Sequence, residues 1–359
     1  MNIKLKIIMK LMTKSLVACM MIALAACGTT PQGAATSSED SVKLETNIFA
    51  IKGNDTLRID TYIDYSKEVP AEGRPVIIYI HGGGFTMGSR VNAAQEIFCR
   101  HMAEEGFLAA SVDYRLAGCL ESPTDGSIIN PYNVSSVRET VTIACEDVAE
   151  ATNYILGKAE WKANPKQVSV GGGSAGAVTA LTIVYDVCNA SEEYTKKLPE
   201  GFSYAGVISQ AGAVATLEDE LVWKTKPCPM MFFHGSEDPI VPLVKQDVSG
   251  TNCIGTLYIE KQLEEAGVPH WTWIEKGADH VMAMKPLTSY LEEQARFLKE
   301  FASGAAKTTV RTEWADEEPA CMSSVDQMLK FVPMYILGFG KYLEEIDWNN
   351  LDKPENIVF

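Results

Sequence analysis

Apolar positions along this chain fall into short continuous runs that alternate with stretches of helical periodicity. Pro75-Val76-Ile77-Ile78-Tyr79-Ile80 is one such run, closed by His81-Gly82-Gly83-Gly84. Its length and turn-rich borders predict a strand buried on both faces. Residues 107–112, 167–170, 205–209, 230–233 and 271–274 read the same way. Between these runs, residues 91–105, 138–157, the segment after Ser174, 256–266 and 287–303 space their apolar positions as helices do. Residues 42–65 hold two strand-like stretches around Gly53-Asn54-Asp55, a hairpin signal. A long irregular stretch is expected over 115–135. Strands alternating with helices imply βαβ units. The predicted class is therefore α/β, a doubly wound, mostly parallel sheet with helices on both faces.

Composition adds limits. The 359 residues are 46% hydrophobic and 22% charged, enough for one large packed α/β domain. The formal charge of −16 repels phosphates, so nucleic acid is not an expected partner. The first residues stand apart from the fold. Lys4, Lys6, Lys10 and Lys14 precede a short apolar run that ends Leu24-Ala25-Ala26-Cys27. This reads as an export signal too short to span a bilayer comfortably. The run resembles the lipobox of bacterial lipoproteins. That resemblance implies cleavage before Cys27, a lipid on its sulfur, and an exported protein anchored to a bacterial membrane. Loss of residues 1–26, with four lysines and no acid, would take the charge to −20. The expected organisation is a signal at 1–26, a flexible Gly/Ser/Thr-rich tether at 27–41, the α/β domain at 42–304, and an appendage at 305–359 packed on it. Of nine cysteines, seven lie beyond Cys27. An exported chain can pair some of them, but an odd number leaves at least one over, and no C-x-x-C spacing points to zinc.

The candidate chemistry sits at strand ends. Gly172-Gly173-Ser174-Ala175-Gly176 fits G-x-S-x-G, after an apolar strand and before an apolar helix. That is the setting of a nucleophile elbow. The tight turn strains the serine backbone, and small flanking residues avoid clashes. A phosphate loop would need a Lys-Ser/Thr pair that is absent. His81-Gly82-Gly83-Gly84 also ends a strand, where glycine N–H groups can approach an oxyanion, and the Ala175 N–H can join them.

Five histidines are available to act as base. With the order Ser…Asp/Glu…His, His81 and His101 precede the serine and drop out. His81 then reads as structural, orienting the glycine loop. His270 opens the last apolar strand, whereas His280 follows it and can reach the site, so His280 is the candidate general base. Its orienting carboxylate is Asp238 in His234-Gly235-Ser236-Glu237-Asp238-Pro239, with Glu237 as the alternative.

Together, HGGGF, Asp113-Tyr114-Arg115-Leu116, GGSAG, HGSEDPIVP and GADHV resemble the α/β-hydrolase superfamily, in its HGGG-type esterase/lipase branch, over about residues 43–303. The resemblance implies oxyanion donors at Gly83, Gly84 and Ala175, a triad of Ser174, Asp238 and His280, and chemistry that needs no metal or organic cofactor. Members similar to hormone-sensitive lipase carry a helical cap before the HGGG strand. Here a hairpin precedes it, which is more similar to polysaccharide-deacylating and feruloyl-type esterases and to arylformamidases. The expected function is hydrolysis of short-chain or carbohydrate-linked esters outside the cytoplasm. An amidase using the same triad and a non-catalytic binding protein on this scaffold are the alternatives. Segments 115–135 and 186–204 are expected to wall the pocket, with Tyr132, Tyr194 and Phe202 as candidate contacts.

Overall fold

The computed structural model describes residues 41–118, 120–121, 128–129, 136–316, 319 and 321. The expected leader, Cys27, nearly all of the tether and residues 322–359 of the expected appendage lie outside the described residues. In chain order the elements are β1 (Val42–Lys52), β2 (Asp55–Asp64), β3 (Arg74–Ile80), α1 (Ala93–Glu104), β4 (Leu108–Val112), β5 (Leu120–Glu121), β6 (Ile128–Ile129) and α2 (Val137–Gly157). There follow β7 (Ala163–Gly173), α3 (Ala175–Asn189), β8 (Gly206–Gln210), β9 (Ala213–Thr216), β10 (Met230–Gly235), β11 (Lys245–Val248), β12 (Thr251–Gly255) and α4 (Thr256–Glu265). The last are β13 (His270–Glu275), α5 (Pro286–Ser289), α6 (Leu291–Glu300) and β14 (Val310–Trp314).

Nine strands make the main sheet, in the order β1-β2-β4-β3-β7-β8-β10-β13-β14. The β1–β2 hairpin is antiparallel, and β2 meets β4 antiparallel. From β4 onward every pairing is parallel. Alternation along the buried strands sorts side chains onto two faces. Val76, Ile78 and Ile80 join a core with Val141 and Val148 of α2, Leu181 of α3 and Leu263 of α4. Ile77 and Tyr79 point the other way, into a core with Phe98 and Met102 of α1 and Phe297 of α6. Two faces, each covered by helices, explain why these strands are apolar at every position rather than at every second one.

Three features depart from the expected organisation. The boundary expected at 304 cuts through the sheet. Residues 310–314 form β14, the edge strand beside β13. The amphipathic stretch 287–303 is two helices, not one. The chain leaves helical geometry at Tyr290 (φ −131°, ψ 42°), whose ring packs against Phe233 and Trp273. A small antiparallel sheet, β11-β12-β9, goes beyond the expected elements.

Candidate active site

Parallel register brings the carboxyl ends of β3 and β7 side by side, with Ile80 opposite Gly172. Ser174 follows β7 and caps α3, in backbone geometry (φ 54°, ψ −121°) that an L-residue rarely adopts. The turn is held by the Ser174 N–H donating to Gln210 O of β8 at 2.9 Å. It is possible only because Gly176 lacks a side chain: a Cβ there would stand 2.0 Å from Ile80 O. A chain of buried amides braces the same corner. Tyr79 Oη donates to Gln210 Oε1 at 2.9 Å, and Gln210 Nε2 donates to Gln294 Oε1 at 2.9 Å.

Beyond β3, the HGGG loop lies against this elbow. A Cβ on Gly82 would meet Gly173 O at 2.9 Å and Ser174 Cβ at 3.4 Å. Gly83 takes φ 121°, and its carbonyl accepts the Thr86 and Met87 N–H groups, both at 3.1 Å. A Cβ on Gly83 would stand 2.0 Å from Met87 O. Gly84 is also left-handed, at φ 60°. Ala175 is the first residue of α3, where helical N–H groups have no intrahelical acceptor and the helix dipole favours negative charge.

His81 is buried under this loop. Its ring stacks on Tyr114 at a centroid distance of 4.3 Å, and Nδ1–H donates to Gly82 O at 2.7 Å. Burial lowers its pKa, which keeps it neutral. The rest of the Asp113-Tyr114-Arg115 motif ties neighbouring segments together. Tyr114 Oη donates to His81 O at 3.1 Å, Asp113 accepts Arg90 Nη1 at 3.0 Å, and Arg115 forks onto Asp147.

The loops after β10 and β13 complete the site. His280 Nε2 is 2.8 Å from Ser174 Oγ, and His280 Nδ1 is 2.7 Å from Asp238 Oδ2. A carboxylate can only accept, so Nδ1 carries the proton and Nε2 offers a lone pair to the serine hydroxyl. Asp238 Oδ1 accepts the Ile240 and Val241 N–H groups at 2.8 and 3.0 Å. Burial raises the pKa of Asp238, but hydrogen bonds from His234 and His280 and the Val241 N–H outweigh it and hold the carboxyl far below its ordinary range. Glu237 is exposed, and Asp279 turns away to cap the short helix at 280, accepting the Val281 N–H at 2.9 Å.

His234 is the site residue that sequence reasoning missed. It is fully buried behind Asp238. Its Nε2 lies 3.1 Å from Val241 O, which requires a proton there, and 3.4 Å from Asp238 Oδ2. The Thr256 hydroxyl donates to its Nδ1 at 2.8 Å. The carboxylate is thus held between two imidazoles. The adjacency of His234 to the acid motif was the available signal. The partner that orients it, Thr256, lies 22 residues downstream.

The expected pocket contacts fare differently. Tyr132 lies outside the described residues. Tyr194 is not a contact of the triad: its hydroxyl donates to Asp186 Oδ2 at 2.5 Å. Asp186 is twelve residues along α3 from Ser174, roughly 18 Å at the helical rise. It also takes Arg138, so Tyr194 joins a buried structural ion pair. Phe202 packs edge-on against Tyr204, whose hydroxyl is 3.0 Å from Thr152 in α2. Among the described residues, Cys99, Cys145, Cys188, Cys228 and Cys253 are free thiols.

Comparison with known proteins agrees with this architecture. The family model BD-FAE matches residues 59–126, which span the HGGG loop. Gut esterase 1 of Caenorhabditis elegans is 32% identical over 120 residues, 33% of this chain and 20% of that protein. The non-reducing polyketide synthase mapC' of Penicillium brevicompactum is 30% identical over 153 residues, 42% of this chain and 6% of that protein. The chain thus spans a fifth or less of the length of these curated relatives. Among solved structures, Thermogutta terrifontis esterase 2 phosphoramylated by tabun superposes with a TM-score of 0.51 at 20% identity, covering 73% of this chain and 95% of that one.

Proposed function

Taking as premise that the chain has the α/β-hydrolase fold, we propose that it is a serine hydrolase of carboxylic esters, with Ser174 as nucleophile, His280 as general base and Asp238 as its orienting acid. One observation carries the reading: the unbroken hydrogen-bonded relay Ser174–His280–Asp238, 2.8 and 2.7 Å, built on a serine at φ 54°. The relatives named esterases and the BD-FAE match over the oxyanion loop support it.

As Ser174 Oγ attacks the ester carbonyl, its proton passes to His280 Nε2. Asp238 stabilises the imidazolium. The carbonyl oxygen becomes an oxyanion facing the N–H groups of Gly83, Gly84 and Ala175, each of which contributes about 10²–10³ in rate in such sites. The tetrahedral intermediate collapses, and the alcohol departs with the proton from His280. Water, deprotonated by the same imidazole, then releases the acid and restores Ser174.

The substrate is proposed to be a short-chain or carbohydrate-linked ester, acetyl or feruloyl, met outside the cytoplasm by an enzyme tethered through a lipid on Cys27. The lipobox-like run and the β1–β2 hairpin that precedes the HGGG strand support this. Ser174→Ala should abolish hydrolysis of p-nitrophenyl acetate while far-UV circular dichroism is unchanged. A fluorophosphonate probe should label the parent chain and not the variant. Turnover near the parent rate in Ser174→Ala would refute the assignment. Acetyl-xylan and methyl ferulate compared side by side test the acyl class.

A further inference from the structure

We propose that Glu260, Glu264 and His270 bind one divalent transition-metal ion of the zinc class, at the end of the sheet remote from Ser174. Glu260 and Glu264 are one helical turn apart on α4, so their side chains share a face. His270 is the first residue of β13. One donor atom from each of the three lies within 4.8 Å of the other two.

The inner pair lacks what a shared cation supplies. His270 is fully buried, and its Nδ1–H donates to Val268 O at 2.9 Å. In the neutral ring the lone pair is then on Nε2, the form in which imidazole binds metals. Nε2 is inaccessible and has no hydrogen-bond partner, and the same is true of Glu260 Oε1. Burying one acceptor without a donor is costly, and here two share one small region. Glu260 Oε2 is taken by the Arg311 guanidinium of β14, so Oε1 is the atom left for a ligand. Two carboxylates against one guanidinium, which Glu313 also shares, leave a net negative charge that a divalent ion offsets. Glu264 is exposed, which gives an ion an approach from solvent and leaves this side chain room to close over it.

One imidazole nitrogen and two carboxylate oxygens form a donor set that zinc accepts in tetrahedral geometry, with water in the fourth position. Cysteine spacing gave no hint of this, because the donors are not cysteines and come from two elements. The six residues of β13 separate His270 from the catalytic edge by about 17 Å, so the ion would brace α4 against β13 and β14 without touching the ester.

The test is zinc uptake by the whole chain after chelator treatment and dialysis against ZnCl2, read by elemental analysis and thermal unfolding. The expected result is about one zinc per chain and a Tm rise of roughly 5 °C at a hundredfold excess over Kd. Glu264→Gln, a surface change that spares the fold, should weaken uptake at least about tenfold. His270→Gln should remove it. Turnover of p-nitrophenyl acetate should be unchanged in both variants. No uptake by the parent chain, or uptake unaltered in both variants, overturns the proposal. Either result would leave the assignment of Ser174 untouched.

Discussion

Replacing Asp238 by asparagine tests the proposed relay with almost no change in shape, and the structure dictates which way the new amide turns. Asp238 Oδ1 accepts two backbone N–H groups, from Ile240 and Val241, at 2.8 and 3.0 Å. If the asparagine NH2 pointed there, both would lose their acceptor, at about 1–3 kcal/mol each. Turned the other way, the carbonyl keeps both bonds and the NH2 takes the place of Oδ2, 2.7 Å from His280 Nδ1. Two donors would then face each other. His280 relieves this by moving its proton to Nε2, and the nitrogen beside Ser174 Oγ can no longer act as base. In serine proteases with the same triad, the equivalent exchange of aspartate for asparagine lowers kcat about 10⁴-fold. A loss of that size corresponds to about 5 kcal/mol of activation free energy. The assay is kcat for p-nitrophenyl acetate at neutral pH, with circular dichroism to confirm folding. KM should move little, since the change acts on the chemical step. A variant within about tenfold of the parent kcat would show that Asp238 does not set the tautomer of His280, and the relay would fail as the mechanism.

Gly83→Ala places a methyl group where only 2.0 Å separates it from Met87 O, so the oxyanion loop must shift; kcat should fall by about 10²–10³ with little change in KM, and unchanged kinetics would remove this loop from the oxyanion hole. Asp238 and Glu146 have folded-state pKa values below their unfolded ones, Glu146 at about 2 after burial, which raises it, is outweighed by hydrogen bonds from Lys197 and Arg115. Their contribution is therefore present above the ordinary carboxylate range and is lost as pH falls from about 5 toward 2, so urea midpoints should drop across that window, and less steeply in Asp238→Asn. Ending the chain at residue 304 removes β14 and bares the edge of β13, where Trp273 packs edge-on against Trp314. Such a fragment should aggregate or melt at lower temperature, as followed by light scattering during heating, and an equally stable soluble fragment would show that β14 is dispensable.

What could be read from the sequence depended on how local its cause was. The run 75–80 was legible as a strand because both of its faces are buried, so the residues themselves carry the signal. Strand β14, Val-Arg-Thr-Glu-Trp, was not legible: it alternates at the sheet edge, two of its five residues are exposed and none is fully buried, and its identity comes from pairing with β13. Strand β11, Lys-Gln-Asp-Val, is polar and exposed, and only its partner β12 makes it a strand. The same distinction governs the site. Ser174 and the HGGG loop were legible because elbow and loop need small residues at fixed short spacing. His280 and Asp238 followed from chain order and a shortage of histidines. His234 did not, since its effect on Asp238 depends on a proton held at Nε2 by Val241 O and on a hydroxyl from the start of α4. His270 was set aside for lying at the wrong end of β13, and that position is what brings it to Glu260 and Glu264. A residue excluded from one site by geometry is still a buried titratable group whose open valence needs a partner, and here the partner it lacks is a cation.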